Sequence, residues 1–365
     1  MRGTFEQAMI VYVSIANLLI LFRYALKGLG RLREKLYPIV LGMLFVFSAF
    51  RFEVGCDWSG YLNQWNVQEY SNYQDAFSRS DPAWWSLMQG LQDLGLSYPW
   101  LNVVSSVIFF AGIHVLARRQ PDPLGFLVLL FPILIINMPM SGIRQGAAIG
   151  LMCIAFAAFI DKRVVWFAAW TLLASVFHTS AIVFLLLVPL VGGAYSKKRL
   201  FFAALCAVPG LLVLLSGDAA EEATRRYIDT DVDAAGAAFR VGLLLVAGAA
   251  YFLVFQKKWK HSFPRDYKLA SVGALIMCAL ILLVPLSSVI GDRLGYYLVP
   301  IQTMIFARIP YLPIRRLRSF YSAAPYIGLG LVFVIWTSLS RHFTQCYVPY
   351  NSWVSGFPAS SAYIY

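Results

Sequence analysis

The sequence predicts an all-α, polytopic integral membrane protein. Hydrophobic residues make up 59% of its 365 residues and charged residues only 13%, whereas soluble domains average about 45–50% and about 25%. The apolar residues form runs between short charged segments, and a run of roughly 20 such residues crosses a bilayer as a helix. The ten-residue alternation typical of outer-membrane barrels is missing from the sequence. We therefore expect about twelve transmembrane or half-length helices.

The predicted spans follow the apolar runs in order. Residues 8–26 form the first span rather than a cleaved signal peptide, because the lead is uncharged on balance and no small-residue cleavage site follows. Two runs, 164–177 and 179–191, are too short to cross a bilayer comfortably. Either the membrane is thinned there, or the two form a hairpin with His178 at its tip, in a watered cavity lined by protein. The spans are 8–26, 37–51, 98–117, 123–138, 142–160, 164–177, 179–191, 200–216, 238–255, 269–286, 293–307 and 321–339.

We expect one polytopic domain over residues 1–365, with three large segments on the outer side: the main loop 52–97, the acidic loop 217–237 and the tail 341–365. The main loop contains an amphipathic stretch, 81–96, which Asp81 should cap. This stretch is either an interfacial helix with Trp84 and Trp85 at headgroup depth or an ordinary helix that covers the loop.

Charge divides the connecting segments into two alternating sets. One set holds all nine lysines and twelve arginines against four acids, a formal charge of +17. The other holds nine arginines, no lysine and fourteen acids, a charge of −5. The positive-inside rule places the first set in the cytoplasm. In a bacterium, both termini then face the periplasm. Because this basicity reports topology, we expect no nucleic-acid partner.

The five cysteines show no CxxC pair and no His/Cys metal spacing, so we expect no metal site. Cys56 and Cys346 fall on the same predicted side. A disulfide between them is one alternative, but the sequence favours two free thiols.

Four arginines stand at outer helix ends, the side that the positive-inside rule disfavours for arginine. One such arginine can be explained by snorkelling. Four such arginines, with no lysine on the same side, favour a site for a polyanion such as pyrophosphate. A guanidinium can donate two parallel hydrogen bonds to a phosphate group, whereas the ammonium of lysine acts as a point charge. The residues are Arg51, Arg144, Arg240 and Arg293.

Three side chains could transfer a proton on that side. His178 lies between two apolar half-length helices, where a ring that titrates near neutral pH is a candidate general base. Glu53 and Asp57 are rivals, because a carboxylate can also deprotonate a sugar hydroxyl. Asp57 could equally bind sugar or cap a helix.

Five stretches resemble the EpsG/Wzy group of bacterial polysaccharide polymerases, in the family's order and over nearly the whole chain. The first, Phe50-Arg51-x-x-Val54-Gly55-x-Asp57-x-x-x-Tyr61, is the most specific, and it departs from the family at Cys56, where Thr or another small residue is expected. The others are Gly142-Ile143-Arg144-Gln145, Phe177-His178-Thr179-Ser180-Ala181, Asp292-Arg293-Leu294-x-Tyr296-Tyr297 and Tyr347-Val348-Pro349-Tyr350.

The resemblance implies an inner-membrane glycosyltransferase, with its active site facing the periplasm, that joins oligosaccharide repeat units carried on undecaprenyl pyrophosphate. It implies an inverting, metal-independent single step without a cofactor, and a separate chain-length regulator as a partner. Arginines would hold the departing pyrophosphate and a base would deprotonate the attacking hydroxyl. On this assignment the pyrophosphate ligands are Arg51, Arg144, Arg240 and Arg293, the base is His178 or Asp57 with Glu53 as a rival, and Tyr61, Gln145, Tyr296 and Tyr297 bind or orient sugar.

Three rival functions predict different features. An O-antigen ligase needs the same grip on pyrophosphate, but usually carries His and Arg in one large outer loop. A lipid-linked oligosaccharide flippase or anion transporter would place charges on both sides of the midplane. A membrane acyltransferase would place its histidine towards the cytoplasm. The unexplained charges here crowd the outer half, which favours the polymerase.

Overall fold

The computed structural model describes residues 2–26, 28–193, 196–198, 201, 236–285 and 287–356, and the side chains of residues 2–9 lie outside that description. Nearly all of the predicted span 200–216, including Cys206, and nearly all of the acidic loop 217–237 also fall outside it. The chain divides into two compact units. Unit 1 is Met1–Gly150, Val176–His178 and Leu317–Tyr365; unit 2 is Leu151–Ser175 and Thr179–Arg316. The single domain over 1–365 remains a prediction.

The described residues are almost entirely helical, as the apolar runs predict. One π-turn covers Phe131–Ile135, and a second covers Tyr251–Phe255. The first half of the chain forms α1 (Arg2–Ala25), α2 (Gly30–Ala49), α3 (Trp58–Gln68), α4 (Tyr73–Ser78), α5 (Pro82–Asp93), α6 (Pro99–Ala117), α7 (Pro123–Leu130) and α8 (Ile143–Ile160). The second forms α9 (Val164–Phe177), a 3₁₀-helix (Thr179–Leu190), α10 (Ala237–Ala250), α11 (Gln256–Ser262), α12 (Tyr267–Ala279), α13 (Ser288–Arg308), α14 (Arg318–Leu339) and α15 (Arg341–Tyr347).

Four segments within the described part of the chain are long and apolar enough to cross a membrane: Pro99–Ala117, Ile143–Ile160, Ala237–Ser262 and Arg318–Leu339. Five more apolar helices are shorter: Ile10–Ala25, Pro123–Ile135, Val164–Phe177, Thr179–Leu190 and Tyr267–Leu282. The protein is thus a helical membrane protein, while the count of about twelve helices stays a prediction. The 3₁₀ form gives the twelve residues from Thr179 to Leu190 a length of about 24 Å, against about 18 Å for an α-helix.

The helix in the main loop 52–97 packs one face against the rest of unit 1. α5 begins at Pro82 with Asp81 at its N-cap position, as predicted, but the Asp81 side chain makes no capping hydrogen bond. Trp84 is fully buried, its indole Nε1 donates to the Gln64 side chain at 3.2 Å, and its ring packs beside Tyr61. Trp84 is therefore covered by protein, and the depth of this helix in the membrane stays a prediction.

Two segments of the predicted basic set meet in unit 1. At one end the Asp122 carboxylate pairs with Arg23, at 2.7 Å, and with Arg33. Segments 27–35 and 118–122, both assigned to the basic side, therefore meet at one end of the unit.

Unit 2 shows the same alternation. Lys268 donates to the carbonyl oxygens of Gly192 and Gly193 at 3.2 and 3.1 Å, which joins two segments of the basic set. Arg240 and Asp292, from the other set, pair with each other. Each unit taken by itself is consistent with the predicted sidedness.

In unit 1, α6 and α8 cross at a contact that only glycine permits. A Cβ on Gly112 would collide with the backbone of Gly150, and a Cβ on Gly150 would lie 2.6 Å from the Cα of Phe109. Small residues at such crossings let membrane helices approach closely. This contact helps to fix the start of α8, where Arg144 lies.

Candidate active site

Arg51 ties the end of α2 to two other segments of unit 1. Its Nε donates to the carbonyl oxygens of Val54 and Met140 at 2.9 and 2.8 Å, and its Nη1 donates to the Ser48 carbonyl at 3.0 Å. The residue is only 1% exposed, and its guanidinium lies 5.7 Å from the centroid of the Trp58 ring. These contacts favour a positioning role for Arg51 over direct contact with pyrophosphate.

Gly55 explains why the first motif contains a glycine at this position. Its backbone has φ +104°, and a Cβ there would collide with the Met140 carbonyl oxygen. Its N–H donates to the Cys346 carbonyl at 2.7 Å. Only glycine adopts this conformation at no steric cost, so the loop can lie against the turn that precedes α8.

Asp57 joins the same turn from its other side. Its exposed carboxylate accepts a hydrogen bond from the Ser141 hydroxyl at 3.2 Å, and its backbone N–H lies 3.4 Å from the same oxygen. Residues 138–141 form a turn that precedes α8. Two motifs about 85 residues apart in the sequence therefore form one surface.

Arg144, the second residue of α8, lies beside that surface. Its Nη1 is 3.0 Å from the Asp81 carboxylate, and its side chain is 23% exposed. Its Nε is buried and has no hydrogen-bond partner among the residues that the structure describes. A buried guanidinium donor without a partner is costly.

The tail buttresses the first motif. Phe52 N–H donates to the Asn351 carbonyl and Trp353 N–H to the Phe50 carbonyl, each at 2.9 Å, and Arg51 forms an isolated antiparallel bridge with Ser352. The backbone of 50–52 is therefore held from the C-terminal side of the chain.

A tyrosine in the tail adds a further support. The Tyr350 hydroxyl donates to the Phe47 carbonyl at 2.8 Å. Burial raises the pKa of Tyr350 to about 12, so the hydroxyl keeps the proton that it donates.

Cys56 and Cys346 form a disulfide, with their Cα atoms 4.7 Å apart. The expectation of two free thiols is therefore wrong. The sequence could not show that the tail folds back onto the first motif, which is what brings the two sulfurs together. His342 lies beside this bridge, with its Nε2 3.0 Å from the Cys56 sulfur.

The remaining predicted site residues of unit 1 occupy two environments. Glu53 is exposed and has a left-handed backbone, with φ 54°. Tyr61, Gln145 and His178 are each about 7% exposed. Tyr61 packs against Trp84, with 5.3 Å between ring centroids. Unit 1 thus contains Arg51, Glu53, Asp57, Tyr61, Arg144, Gln145 and His178.

Unit 2 contains the other four predicted site residues. Arg240 makes a bidentate pair with Asp292, Nε–Oδ1 at 2.7 Å and Nη2–Oδ2 at 2.8 Å, and its guanidinium lies 5.4 Å from the centroid of the Tyr296 ring. The Tyr297 hydroxyl accepts a hydrogen bond from Ser180 at 3.4 Å. Arg293 lies in the second turn of α13, after the Ser287 N-cap.

The sequence analysis missed the polar partners of three predicted site residues, namely those of Arg144, Arg240 and Asp57. Asp81 was assigned only as a cap, and Asp292 and Ser141 were not singled out. A signal existed for two of them, because Ser141 directly precedes the motif that contains Arg144, and Asp292 is the first residue of the motif that contains Arg293. Asp81 lies 63 residues from Arg144 and gave no such signal.

Comparisons with known proteins gave one result. The model of the EpsG family matches residues 34–352, which include the first motif, the turn before α8 and the tail that buttresses them. No curated protein and no solved structure matched the chain. A family match over this share of the sequence shows that the chain belongs to the EpsG family.

Proposed function

We propose that the protein is a polysaccharide polymerase of the inner membrane. It transfers a growing chain from a polyprenyl pyrophosphate, of the undecaprenyl type, to a lipid-linked repeat unit on the periplasmic side. Membership of the EpsG family, which is associated with polysaccharide polymerisation, supports the reaction class. The lipid-linked donor, the side of the membrane and the roles of single residues are our assignments.

The observation that carries the proposal is Arg144. It combines a partly exposed guanidinium with a buried Nε that has no protein partner in the described part of the chain. It also lies at the start of α8, where backbone N–H groups point outwards. A departing pyrophosphate needs its charge held as the bond to the anomeric carbon breaks. Arg144 offers that contact.

Asp57 is our first candidate for the base. Its exposed carboxylate belongs to the same surface as the Arg144 turn and is oriented by the Ser141 hydroxyl. It would accept the proton of the attacking sugar hydroxyl, while the pyrophosphate leaves from the opposite face of the anomeric carbon with inversion. His178 is the second candidate, and Glu53 the third. Substitution of Asp57 by Asn should abolish turnover and retain substrate binding.

The arginines of unit 2 enter the proposal differently. Arg240 already pairs with Asp292. If it contacts pyrophosphate, the nearby Asp292 carboxylate offsets part of its positive charge. Arg293 remains a direct candidate. Tyr61, Gln145, Tyr296 and Tyr297 stay candidates for contacts to sugar, and a chain-length regulator stays a candidate partner.

The disulfide supports the assignment of the outer side. Disulfides persist in the bacterial periplasm and are rare in the cytosol. Cys56 and Cys346 both belong to the segments that charge assigns to the outer side. A periplasmic location of the first motif agrees with both observations.

The test is reconstitution. Purified protein is incubated with a lipid-linked repeat unit in the presence of EDTA, and the products are separated on a gel. We expect a ladder of polymer that is lost in the Arg144→Ala variant and kept in the Arg79→Ala variant, which removes another arginine of the outer side. Transport of the repeat unit across proteoliposomes without a ladder would instead indicate a flippase.

A further inference from the structure

Asp81 lies at the N-cap position of α5, but its side chain does not cap that helix. An aspartate at an N-cap ordinarily accepts a hydrogen bond from the first turn, but the Asp81 side chain makes no such bond with α5. Its backbone is left-handed, at φ 62° and ψ 54°, a conformation uncommon for residues other than glycine. The helix therefore gives up a cap and accepts strain at this residue. Strain of this kind concentrates at functional sites.

The Asp81 carboxylate serves Arg144 instead. Oδ2 lies 3.0 Å from Nη1, and Asp81 is only 6% exposed. A buried carboxylate is costly unless a cation pairs with it. Because the guanidinium is planar and rigid, a contact at Nη1 also fixes the direction of its other N–H bonds.

That direction matters because part of the guanidinium is open to a ligand: the Arg144 side chain is 23% exposed, although its Nε is buried. We propose that Asp81 is a positioning residue, which orients Arg144 through Nη1 so that the exposed edge of the guanidinium donates to an anionic oxygen of the substrate. The inference rests on the proposed function and names the residue that directs Arg144 towards the pyrophosphate.

The positioning role predicts a separation of binding from turnover. Removing the Asp81 charge makes the surroundings of Arg144 more attractive to an anion, because one negative charge is lost. It also frees the guanidinium to turn, and stabilisation of a transition state depends on directed donors. Asp81→Asn should therefore bind pyrophosphate as tightly as the wild type or more tightly, with turnover at least tenfold lower.

Asn is the substitution of choice because it has nearly the same shape as Asp and tolerates the left-handed conformation. Asp81→Glu restores the charge one methylene further out and should recover part of the turnover. Asp93→Asn is the matched control. Asp93 is an exposed aspartate at the other end of α5, and it accepts hydrogen bonds from Tyr73 at 2.8 Å and Gln89 at 2.9 Å.

The experiment measures two quantities on the purified full chain: the Kd of radiolabelled inorganic pyrophosphate by equilibrium dialysis, and the turnover of a lipid-linked repeat unit. We expect Arg144→Ala to lose both, Asp81→Asn to lose turnover alone, and Asp93→Asn to lose neither. Unchanged turnover in Asp81→Asn overturns the inference. So does a weaker Kd that falls together with the fraction of folded protein, which is the signature of a merely structural role.

The two proposals fail separately. A wild-type protein that forms no polymer refutes the proposed function. The pyrophosphate Kd values alone then decide the Asp81 inference. It stands if binding requires Arg144 and survives Asp81→Asn, and it falls if Asp81→Asn binds more weakly or if Arg144→Ala binds as well as the wild type.

Discussion

The Nε of Arg51 donates a hydrogen bond to the main-chain carbonyl of Met140, 2.8 Å away. This bond joins the motif that follows α2 to the turn that precedes α8, and two further carbonyls accept hydrogen bonds from the same guanidinium. Arg51 and Arg144 share a residue type and a predicted role, but their surroundings differ. Arg51 is almost fully buried and bonds to main-chain carbonyls, whereas Arg144 is partly exposed and pairs with a carboxylate.

We predict that Arg51→Ala destabilises the fold. The substitution leaves buried carbonyl groups without their donor, and each such group costs about 1–3 kcal/mol. The expected loss of unfolding free energy is therefore several kcal/mol, and activity should fall together with the fraction of folded protein. Thermal unfolding in detergent, followed by tryptophan fluorescence, measures it. A variant that melts like the wild type would show that Arg51 does not hold the loop.

Arg144→Ala should lower the turnover of the protein that remains folded. The substitution leaves the buried Asp81 carboxylate without this cation, so we expect the free energy of unfolding to fall as well, by about 1–3 kcal/mol. Loss of a directed donor to the leaving group should lower turnover by about 10²–10³-fold. Arg144→Lys retains the positive charge but not the paired N–H donors of the guanidinium, and we expect its turnover to exceed that of Arg144→Ala only slightly. Turnover within threefold of the wild type in Arg144→Ala would remove this residue from the site.

The sequence predicted the helices well because their signal is local. α9 has the predicted limits, and α6 differs from its prediction by one residue. Apolar runs and their flanking charges suffice for such predictions. The place of each of the four arginines beside an apolar run was equally accessible, because it is read directly from the sequence.

What the sequence could not predict depends on contacts between distant segments. The acceptors of Arg51 are main-chain carbonyls, which every residue carries. Trp84 looks like an interfacial anchor by composition, yet it is buried against Tyr61. The Cys56–Cys346 bridge requires the tail to return over 290 residues of sequence. None of these relationships leaves a periodic or short-range trace.

Gly55→Ala tests the close packing of the first motif against the turn before α8. The added methyl group would meet the Met140 carbonyl, and the backbone at φ +104° is strained for any L-residue. We expect a loss of about 2–4 kcal/mol in the free energy of unfolding. A lower midpoint of thermal unfolding, together with loss of the polymer ladder, would confirm it.

Gly60→Ala is the control for this substitution. Gly60 lies five residues later, inside α3, and a Cβ there would meet nothing within 4 Å. Alanine in an exposed helix interior is more stable than glycine by about 0.5–1 kcal/mol. Equal destabilisation by both substitutions would show that the effect does not come from the Met140 contact.

Reduction of the disulfide should loosen the first motif. The bridge ties the tail to residues 50–56, next to the backbone bonds of Phe52 and Gly55. Native disulfides contribute about 2–4 kcal/mol in typical cases. We therefore expect Cys56→Ser and Cys346→Ser each to lower the unfolding midpoint and the rate of polymer formation, and the double variant to do no more than either single one.

Cys278→Ser provides the comparison, because Cys278 is a free, half-buried cysteine in α12. This variant should respond to dithiothreitol as the wild type does, whereas the Cys56 and Cys346 variants should not respond. Alkylation followed by peptide mass spectrometry gives a direct measure, since Cys56 and Cys346 should resist iodoacetamide until the reductant is added. Modification of both residues in protein purified without reductant would show that the bridge does not form, and the tail would then depend on its backbone hydrogen bonds and Tyr350 alone.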